Sequence, residues 1–365
     1  MERRKVSRVL EVGGLPPPYG GITVHIERLT REATSAGFSV SVADPIPDAR
    51  SDKSDAWNDV LVPLRGPSPL KLAQLLLACG HADLIHFHAS ALDNLWVVGL
   101  AAPLFKRPYI ASIHGGNFPQ RWTEISAFKR RVIADFLSRA HAVVCVSEPL
   151  RAFTEQIAPT AKTLVSPAFI PPVRPQTIHP AVEALRTRCE KLVLTSGFPL
   201  KNYGIESFTS ALTELSNEFS LGAVVVLYPT SDPTHPDRYR REEDGVRSSL
   251  EKFAHAFRTV VVLEDMAPEV FASVQMGCDV FVRNTQTDGD SVALREAAYL
   301  GCQIVASSCT ARPQGSVLFQ PQDSVALASA IRTVLGDPMA GRIASSEDNA
   351  EVILALYRDA LAAAS

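Results

Sequence analysis

Residues 8–42 read RVLEVGGLPPPYGGITVHIERLTREATSAGFSVSV, and this stretch decides the fold class. Both of its ends are short runs rich in β-branched residues, which favour strands. The middle contains four apolar residues at the i, i+4, i+7, i+11 spacing of one helix face: Ile22, Ile26, Leu29 and Ala33. Gly37 then follows where a helix C-cap is expected. A strand, a helix and a strand in this order predict a parallel sheet covered on both faces.

The same alternation continues along the chain and is interrupted once. Residues 166–180, SPAFIPPVRPQTIHP, contain five prolines, which exclude a helix and an inner strand. Further short apolar runs are predicted as strands on both sides of this break: 83–87, 109–113, 142–146, 192–196, 223–228, 259–263, 279–282 and 303–307. The expected domains are therefore residues 1–170 and 191–340, joined by a linker at 171–190, with a closing helix within 341–365.

Composition narrows the functional class. A chain of 365 residues exceeds the roughly 250–300 residues at which one core stops growing, so two domains are expected. A net charge of −3 gives no electrostatic reason to bind nucleic acid. The six cysteines form no CxxC pair, no secretory segment is recognised, and the apolar run 95–105 is about half of the ~20 residues of a membrane span. We expect a cytoplasmic protein.

Two groups of residues at predicted strand ends are candidates for a site. The loop that contains Gly20 and Gly21 does not match G-x-G-x-x-G, but its amides lead into a helix and are expected to face an anion or a sugar hydroxyl. A tight turn without a ligand is the alternative. His86 and His88 share one strand face, and with His81 they raise the question of a metal. We predict no metal site, because no carboxylate or cysteine lies at ligand spacing.

The third candidate is DGDSVALREAAYLG, residues 288–301. It follows a predicted strand and predicts a loop and a helix, with Asp290 or Ser291 as the N-cap and Gly301 after the last turn. A capped helix with solvated charges explains these residues, but it does not explain Glu296 in mid-helix. Asp288 and Glu296 on either side of a helix N-terminus suit a sugar, a diphosphate and a ribose in that order.

Five motifs in this order resemble those of the retaining glycosyltransferases of family 4. They are PPPYGGITVHIERL, SIHGGNF, VVCVSEPL, SGFPLKNYGIESF and DGDSVALREAAYLGCQIVAS. The resemblance implies the GT-B fold, an α/β architecture of two doubly wound Rossmann-like domains facing a central cleft. Asp288 stands where Glu is usual in the family, and Phe198 stands where Arg is usual.

The resemblance also implies roles for individual residues. Glu296 would bind the ribose hydroxyls of the donor and Asp288 the hydroxyls of the transferred sugar. Lys201 would pair with the diphosphate, and His114 would lie beside the sugar. The remaining donor-binding residues implied in this way are Gly20, Gly21, Gly197, Gly289, Asp290, Ser291 and Val292. Arg283 is expected either to replace the missing motif arginine at the diphosphate or to pair with Asp288 or Asp290.

The implied function is metal-independent transfer of a sugar from a nucleotide-sugar, expected to be a UDP-sugar, to a glycan, lipid-linked or small-molecule acceptor. The nucleotide-sugar is a co-substrate, and no cofactor is expected. A sugar-nucleotide epimerase and a binding protein without catalysis remain as alternatives. Basic residues beside apolar ones in residues 121–139 also leave open a peripheral contact with the inner face of a membrane, against a solvated helix.

Overall fold

The computed structural model describes residues 6–45, 57, 59–230, 239–344 and 348–364. The chain divides into two compact units. Unit 1 comprises Met1–Ile170 and Asp348–Ser365, and unit 2 comprises Pro171–Glu347. Each unit contains one parallel sheet with helices between successive strands, which confirms the predicted α/β class.

The described residues form the following elements. The strands are β1 Arg8–Val12, β2 Ser39–Asp44, β3 Leu61–Pro63, β4 Leu84–Ala89, β5 Tyr109–Ile113, β6 Ala142–Cys145, β7 Thr163–Val165, β8 Lys191–Gly197, β9 Leu221–Leu227, β10 Val260–Glu264, β11 Val280–Arg283, β12 Gln303–Ser307 and β13 Val317–Phe319. The α-helices are Gly21–Ser35, Ser68–His81, Leu92–Ala101, Phe118–Glu124, Ala127–Arg139, Glu148–Ile157, Pro180–Arg186, Ile205–Leu215, Arg240–Phe257, Pro268–Met276, Val292–Leu300, Ser324–Gly336 and Ala350–Ala363. Short 3₁₀ helices cover Ala102–Leu104 and Lys201–Tyr203.

The sheet of unit 1 has the order β3-β2-β1-β4-β5-β6-β7, and every pairing in it is parallel. Strand β1 lies at its centre, with Val12 paired to Ala43 on one side and to Phe87 on the other. The helix Gly21–Ser35 covers this centre and buries Ile26, Leu29 and Ala33. The apolar spacing seen in the sequence is therefore the face that packs on the sheet.

The sheet of unit 2 has the order β10-β9-β8-β11-β12-β13, again with parallel pairings throughout. Both faces are covered by apolar clusters, which explains why strands such as β9 are buried along their whole length. The helix Val292–Leu300 connects β11 to β12 and packs Leu294 and Ala297 into one of these clusters.

The domain boundaries predicted at 171–190 and 341–365 differ from the units of the structure. Residues 171–190 cluster with unit 2 and include the helix Pro180–Arg186. That helix forms because Val182 and Leu185 are buried in the core of unit 2. The chain returns to unit 1 from Asp348, so the closing helix Ala350–Ala363 completes the unit in which the chain begins.

The segment 121–139 is not one amphipathic helix. It divides between the helices Phe118–Glu124 and Ala127–Arg139, because Ser126 caps the second helix by accepting a hydrogen bond from the amide of Lys129. The ammonium of Lys129 lies 4.7 Å from the centre of the Trp96 ring. Among the described residues, no helix combines the length and the apolar character required to cross a membrane. Residues 231–238 lie outside the described part of the chain, and the charged residues 240–244 form the first turns of the helix Arg240–Phe257.

Candidate functional site

Each sheet has one point where the strand order reverses direction. In unit 1 it lies between β1 and β4, and in unit 2 it lies between β8 and β11. Helices that leave two such neighbouring strands run to opposite sides, so a crevice opens beyond the carboxyl ends of the strands, and ligands of open α/β sheets bind there. The candidate residues of both units gather at these two points.

In unit 1 the centre of the sheet contains a buried carboxylate, Glu11 of β1. The hydroxyl of Tyr357 donates a hydrogen bond to Glu11 Oε1, and His86 Nδ1 lies 3.1 Å from Glu11 Oε2. His86 also has hydrogen-bond contacts with Tyr357 Oη and Ser112 Oγ, both at 2.7 Å. Burial opposes ionisation of Glu11, but the neighbouring His86 and His88 outweigh it and hold the pKa of Glu11 below its usual value.

His88 connects this carboxylate to the residue expected beside the sugar. Its Nε2 lies 2.7 Å from Glu11 Oε2, and its Nδ1 lies 3.1 Å from Nε2 of His114. A third ring, His25 of the helix Gly21–Ser35, packs 5.4 Å from His114 and 5.7 Å from His88 between ring centres. Burial, followed by the repulsion of neighbouring imidazoles, lowers the pKa of His25 to about 3 and that of His114 well below its usual value. Burial also lowers the pKa of His88 to about 4.

These contacts revise the metal reading of the sequence. His81 does not join His86 and His88, because it is exposed at the end of the helix Ser68–His81 with its Nδ1 2.8 Å from the Leu77 carbonyl. The described residues do contain two groups with ligand atoms within 4.8 Å of one another: His25, His88 and His114, and Glu11, His86 and His88. No carboxylate lies at ligand spacing from the histidines along the sequence, but the fold brings Glu11 next to His86 and His88.

In the glycine loop of unit 1, one of the two backbone amides expected to face a ligand already has a hydrogen-bond partner within the protein. The amide of Gly20 donates a hydrogen bond to Thr23 Oγ1 at 3.0 Å. The hydroxyl of Thr23 in turn donates to the Pro18 carbonyl at 2.8 Å. The Gly20 amide is therefore already paired, contrary to the expectation that both glycine amides face a ligand. Gly21 begins the helix Gly21–Ser35.

In unit 2 the carboxylate of Asp288 lies between two arginines. Arg283, the last residue of β11, approaches Asp288 Oδ2 at 3.0 Å through Nε, and Arg312 reaches the same oxygen at 3.0 Å through Nη1. Burial opposes ionisation of Asp288, but the two guanidinium groups outweigh it and lower its pKa to about 2. Of the two roles weighed for Arg283, this structure shows the pairing with Asp288. The guanidinium also lies 5.2 Å from the centre of the Tyr203 ring.

The helix after this loop begins as predicted. Ser291 is its N-cap and accepts a hydrogen bond from the Leu294 amide at 3.2 Å, and Gly301 ends it at φ 107°, a left-handed conformation that suits glycine. Asp290 pairs with Arg295 at 2.8 Å instead of capping. Glu296 is buried on this helix, with 5% of its surface exposed.

The turn that contains Lys201 is tied to the Asp288 loop. Asn202 Oδ1 accepts hydrogen bonds from the amide of Thr287 at 3.1 Å and from its hydroxyl at 3.2 Å. Lys201 is exposed on this turn. Gly197, at the end of β8, allows Tyr203 to lie against the backbone, since a Cβ there would stand 2.0 Å from the Tyr203 ring. The two motifs of unit 2 thus meet at the switch point between β8 and β11.

Other functional candidates sit at the ends of this loop. Gly289 is buried, and Val292 opens the helix Val292–Leu300. Sequence reasoning missed Arg312, Tyr357 and His25. Arg312 follows Asp288 by 24 residues in a segment without periodicity. Tyr357 meets Glu11 across a separation of 346 residues. Only His25 carried a local signal, a histidine on an otherwise apolar helix face.

Comparison with known proteins finds a match to one family model and similar solved structures. Residues 19–174 match the model of Glycosyltransferase Family 4. Sucrose-phosphate synthase from Thermosynechococcus elongatus is 17% identical, with a TM-score of 0.69 over 98% of this chain and 97% of that one. HepE of Anabaena, solved with UDP and glucose, is 16% identical, with a TM-score of 0.72 over 97% of this chain and 98% of that one.

A third solved structure has the same architecture. α,α-Trehalose 6-phosphate synthase from Burkholderia multivorans is 16% identical, with a TM-score of 0.63 over 99% of this chain and 100% of that one. No curated protein is similar enough in sequence to count as a match. The structural likenesses confirm the predicted GT-B fold.

Proposed function

We propose that the chain, whose residues 19–174 match the model of Glycosyltransferase Family 4 and which has the GT-B fold, transfers a sugar from a nucleotide-sugar to an acceptor. The observation that carries the proposal is the meeting of the Lys201 turn and the Asp288 loop at the switch point of unit 2. That place combines a cation, a helix N-terminus and a buried carboxylate, which suit a diphosphate and sugar hydroxyls.

The donor is proposed to be a UDP-sugar. HepE, a protein of the same fold, was solved with UDP-glucose. In our proposal Glu296 binds the ribose hydroxyls, while Asp288 accepts hydrogen bonds from the transferred sugar. Lys201 and the amides of Gly289 and Ser291 face the diphosphate. Fixed positive groups at a leaving diphosphate stabilise its departure without a protein nucleophile.

Arg283 is the proposed second cation at the diphosphate. Its guanidinium is held by Asp288 and by a longer contact of 3.5 Å to the Ser196 carbonyl. Arg312 has a saturated guanidinium, with additional contacts to Ser307 and Thr285. Since Arg312 can hold Asp288 alone, Arg283 is the arginine that can turn towards a phosphate, where its planar fork binds two oxygens.

We propose retention of configuration and independence from metal for the transfer. Asp288 and Asp290 have the letters of a D-x-D metal motif, but each carboxylate is already paired with arginine. Their charge is thus neutralised by the protein itself. In unit 1 His114 is proposed to contact the transferred sugar, and the loop of Gly20 and Gly21 to contact the acceptor and the phosphates.

The test is incubation of the purified chain with a panel of sugar nucleotides, with and without acceptor fractions that contain glycans, lipid-linked sugars or small sugars. Nucleoside diphosphate release and product masses are followed. We expect one UDP-sugar to be consumed only when an acceptor is present, with retained anomeric configuration. Lys201→Ala is the matched control with strongly reduced transfer, because an exposed lysine can be removed without disturbing the core.

Other outcomes have distinct meanings. Turnover of the sugar-nucleotide without any acceptor would assign an epimerase. Tight donor binding without turnover in any fraction would assign a binding protein. Either result contradicts the proposed transfer.

A further inference from the structure

The rings of His25, His88 and His114, called here the histidine trio, form a nearly regular triangle in unit 1. The distances between ring centres are 5.7, 5.4 and 5.4 Å. One nitrogen from each ring lies within 4.8 Å of the others. His25 comes from the helix Gly21–Ser35, His88 from β4, and His114 follows the end of β5.

Glu11 decides which nitrogen of His88 faces the other rings. An ionised carboxylate only accepts hydrogen bonds, so the 2.7 Å contact to Glu11 Oε2 places the proton of neutral His88 on Nε2. Its Nδ1 then carries a lone pair and points to His114 Nε2, 3.1 Å away. A carboxylate that fixes the tautomer of an imidazole in this way is the usual partner of a metal-binding histidine.

His25 provides the second independent observation. Its residue is 4% exposed, and its Nδ1 is buried without a hydrogen-bond partner in the described part of the chain. Burying a polar nitrogen without a partner costs free energy, so such groups are rare unless they serve a ligand. His25 is one of the three residues whose ligand nitrogens come together here.

We propose that the histidine trio binds a divalent transition-metal ion of the Zn²⁺ type, with Glu11 orienting His88. Zn²⁺ bound by imidazole nitrogens at about 2.0–2.1 Å in a tetrahedron separates those nitrogens by about 3.4 Å. The separation of 3.1 Å between His88 and His114 is already near this value. His114 needs only to move its proton from Nε2 to Nδ1. Three histidines leave the fourth position to water or a ligand.

The overlapping group of Glu11, His86 and His88 does not compete for the ion. His86 uses both ring nitrogens, with Tyr357 Oη and Ser112 Oγ each at 2.7 Å. Glu11 uses both oxygens, one for Tyr357 and one for the histidines. These atoms form a completed hydrogen-bond network that supports the trio from behind.

Metal binding has a consequence that rests on the proposed function. An ion that occupies His114 Nε2 removes that nitrogen from the transferred sugar. The ion is then an inhibitor of transfer and not a cofactor, and chelators relieve the inhibition.

The experiment measures Zn²⁺ affinity and stoichiometry by competition with a chromophoric chelator, without any sugar substrate, so that it is independent of transferase activity. We expect one Zn²⁺ per chain at the trio. His25→Leu should abolish this binding while the chain stays folded, because His25 Nδ1 leaves no partner behind. His81→Leu, which removes an exposed histidine of the same unit, is the matched control and should bind Zn²⁺ like the unaltered chain.

Glu11→Gln tests whether the Glu11 carboxylate orients His88 for metal binding. If it does, the substitution should weaken Zn²⁺ binding by about 10–100-fold. Co²⁺ in place of Zn²⁺ should give the visible spectrum of a tetrahedral site, and His25→Leu should remove it. Zn²⁺ affinity that is equal in the unaltered chain and His25→Leu overturns the proposal. Bound Zn²⁺ without inhibition of transfer would overturn only the consequence for His114.

Discussion

Substitution of Arg312 should destabilise unit 2 far more than its loss of one charge suggests. The side chain is 2% exposed, and its guanidinium contacts Asp288 Oδ2 and the Ser307 carbonyl at 3.0 Å and Thr285 Oγ1 at 3.1 Å. Breaking a buried ion pair by removing one partner costs about 3–5 kcal/mol. Because Asp288 remains paired with Arg283, we expect Arg312→Met to lower the free energy of unfolding by an amount at the lower end of this range, about 3 kcal/mol.

The expected change in melting temperature follows from the size of unit 2. A domain of 150–250 residues loses about 2–4 °C per kcal/mol, so Arg312→Met should melt roughly 6–12 °C lower. Far-UV circular dichroism is a suitable signal for the whole chain. Tryptophan fluorescence reports on unit 1 alone, since Trp57, Trp96 and Trp122 all lie there.

Arg332→Met is the matched control in the same unit. Arg332 also pairs with two carboxylates, those of Glu214 and Glu218, but at the surface, where ion pairs contribute little. Its substitution should leave the melting temperature nearly unchanged. If Arg312→Met melts as late as Arg332→Met, the two arginines do not differ in the way that their burial implies, and the reasoning is refuted.

Other expectations concern acid, donor binding, catalysis and metal. The folded pKa of Asp288, about 2, lies below its usual value of 3.8, so its contribution is complete above pH 4 and is lost as the pH falls towards 2. About 1 kcal/mol should be lost by pH 3 in urea titrations, and Asp288→Asn should remove this loss; an unchanged pH dependence would contradict it. Glu296→Ala should weaken UDP binding by about 1.5–3 kcal/mol in calorimetry with the fold intact, and equal affinity would retire its role. Lys201→Ala and Arg283→Ala should each lower kcat by about 10²-fold; an early-melting Arg283→Ala with normal kcat would make that residue structural. EDTA should leave transfer intact, because Asp288 and Asp290 are paired with arginines, whereas activity restored by Mn²⁺ after EDTA would reverse this assignment.

Much of the fold follows from local patterns. The strands β1, β5 and β12 match their predicted limits, and the other predicted strands differ from prediction by one or two residues at one or both ends. The three strands that the sequence did not predict are β3, β7 and β13. Each has three residues and lies at the edge of a sheet, where one neighbour is missing and the apolar signal is short.

The sequence predicted those features of the candidate sites that involve residues close together along the chain. The cap at Ser291 is a local feature, and its prediction is correct. The second arginine on Asp288 is not local, and neither is the meeting of Glu11 with Tyr357. Such pairs depend on the order of strands within a sheet, which the spacing of residues along the chain does not encode.

The return of the helix Ala350–Ala363 to unit 1 affects how the protein is synthesised. During translation, Glu11 and His86 cannot form their hydrogen bonds with Tyr357 until that residue has been synthesised. Tyr357 follows Ile170, the end of the first segment of unit 1, by almost two hundred residues. At about 5–20 residues per second, this delay lasts roughly 10–40 s. Unit 2 is continuous in sequence and emerges completely within that time. The half of the molecule whose translation begins first is thus the half whose last element is translated last.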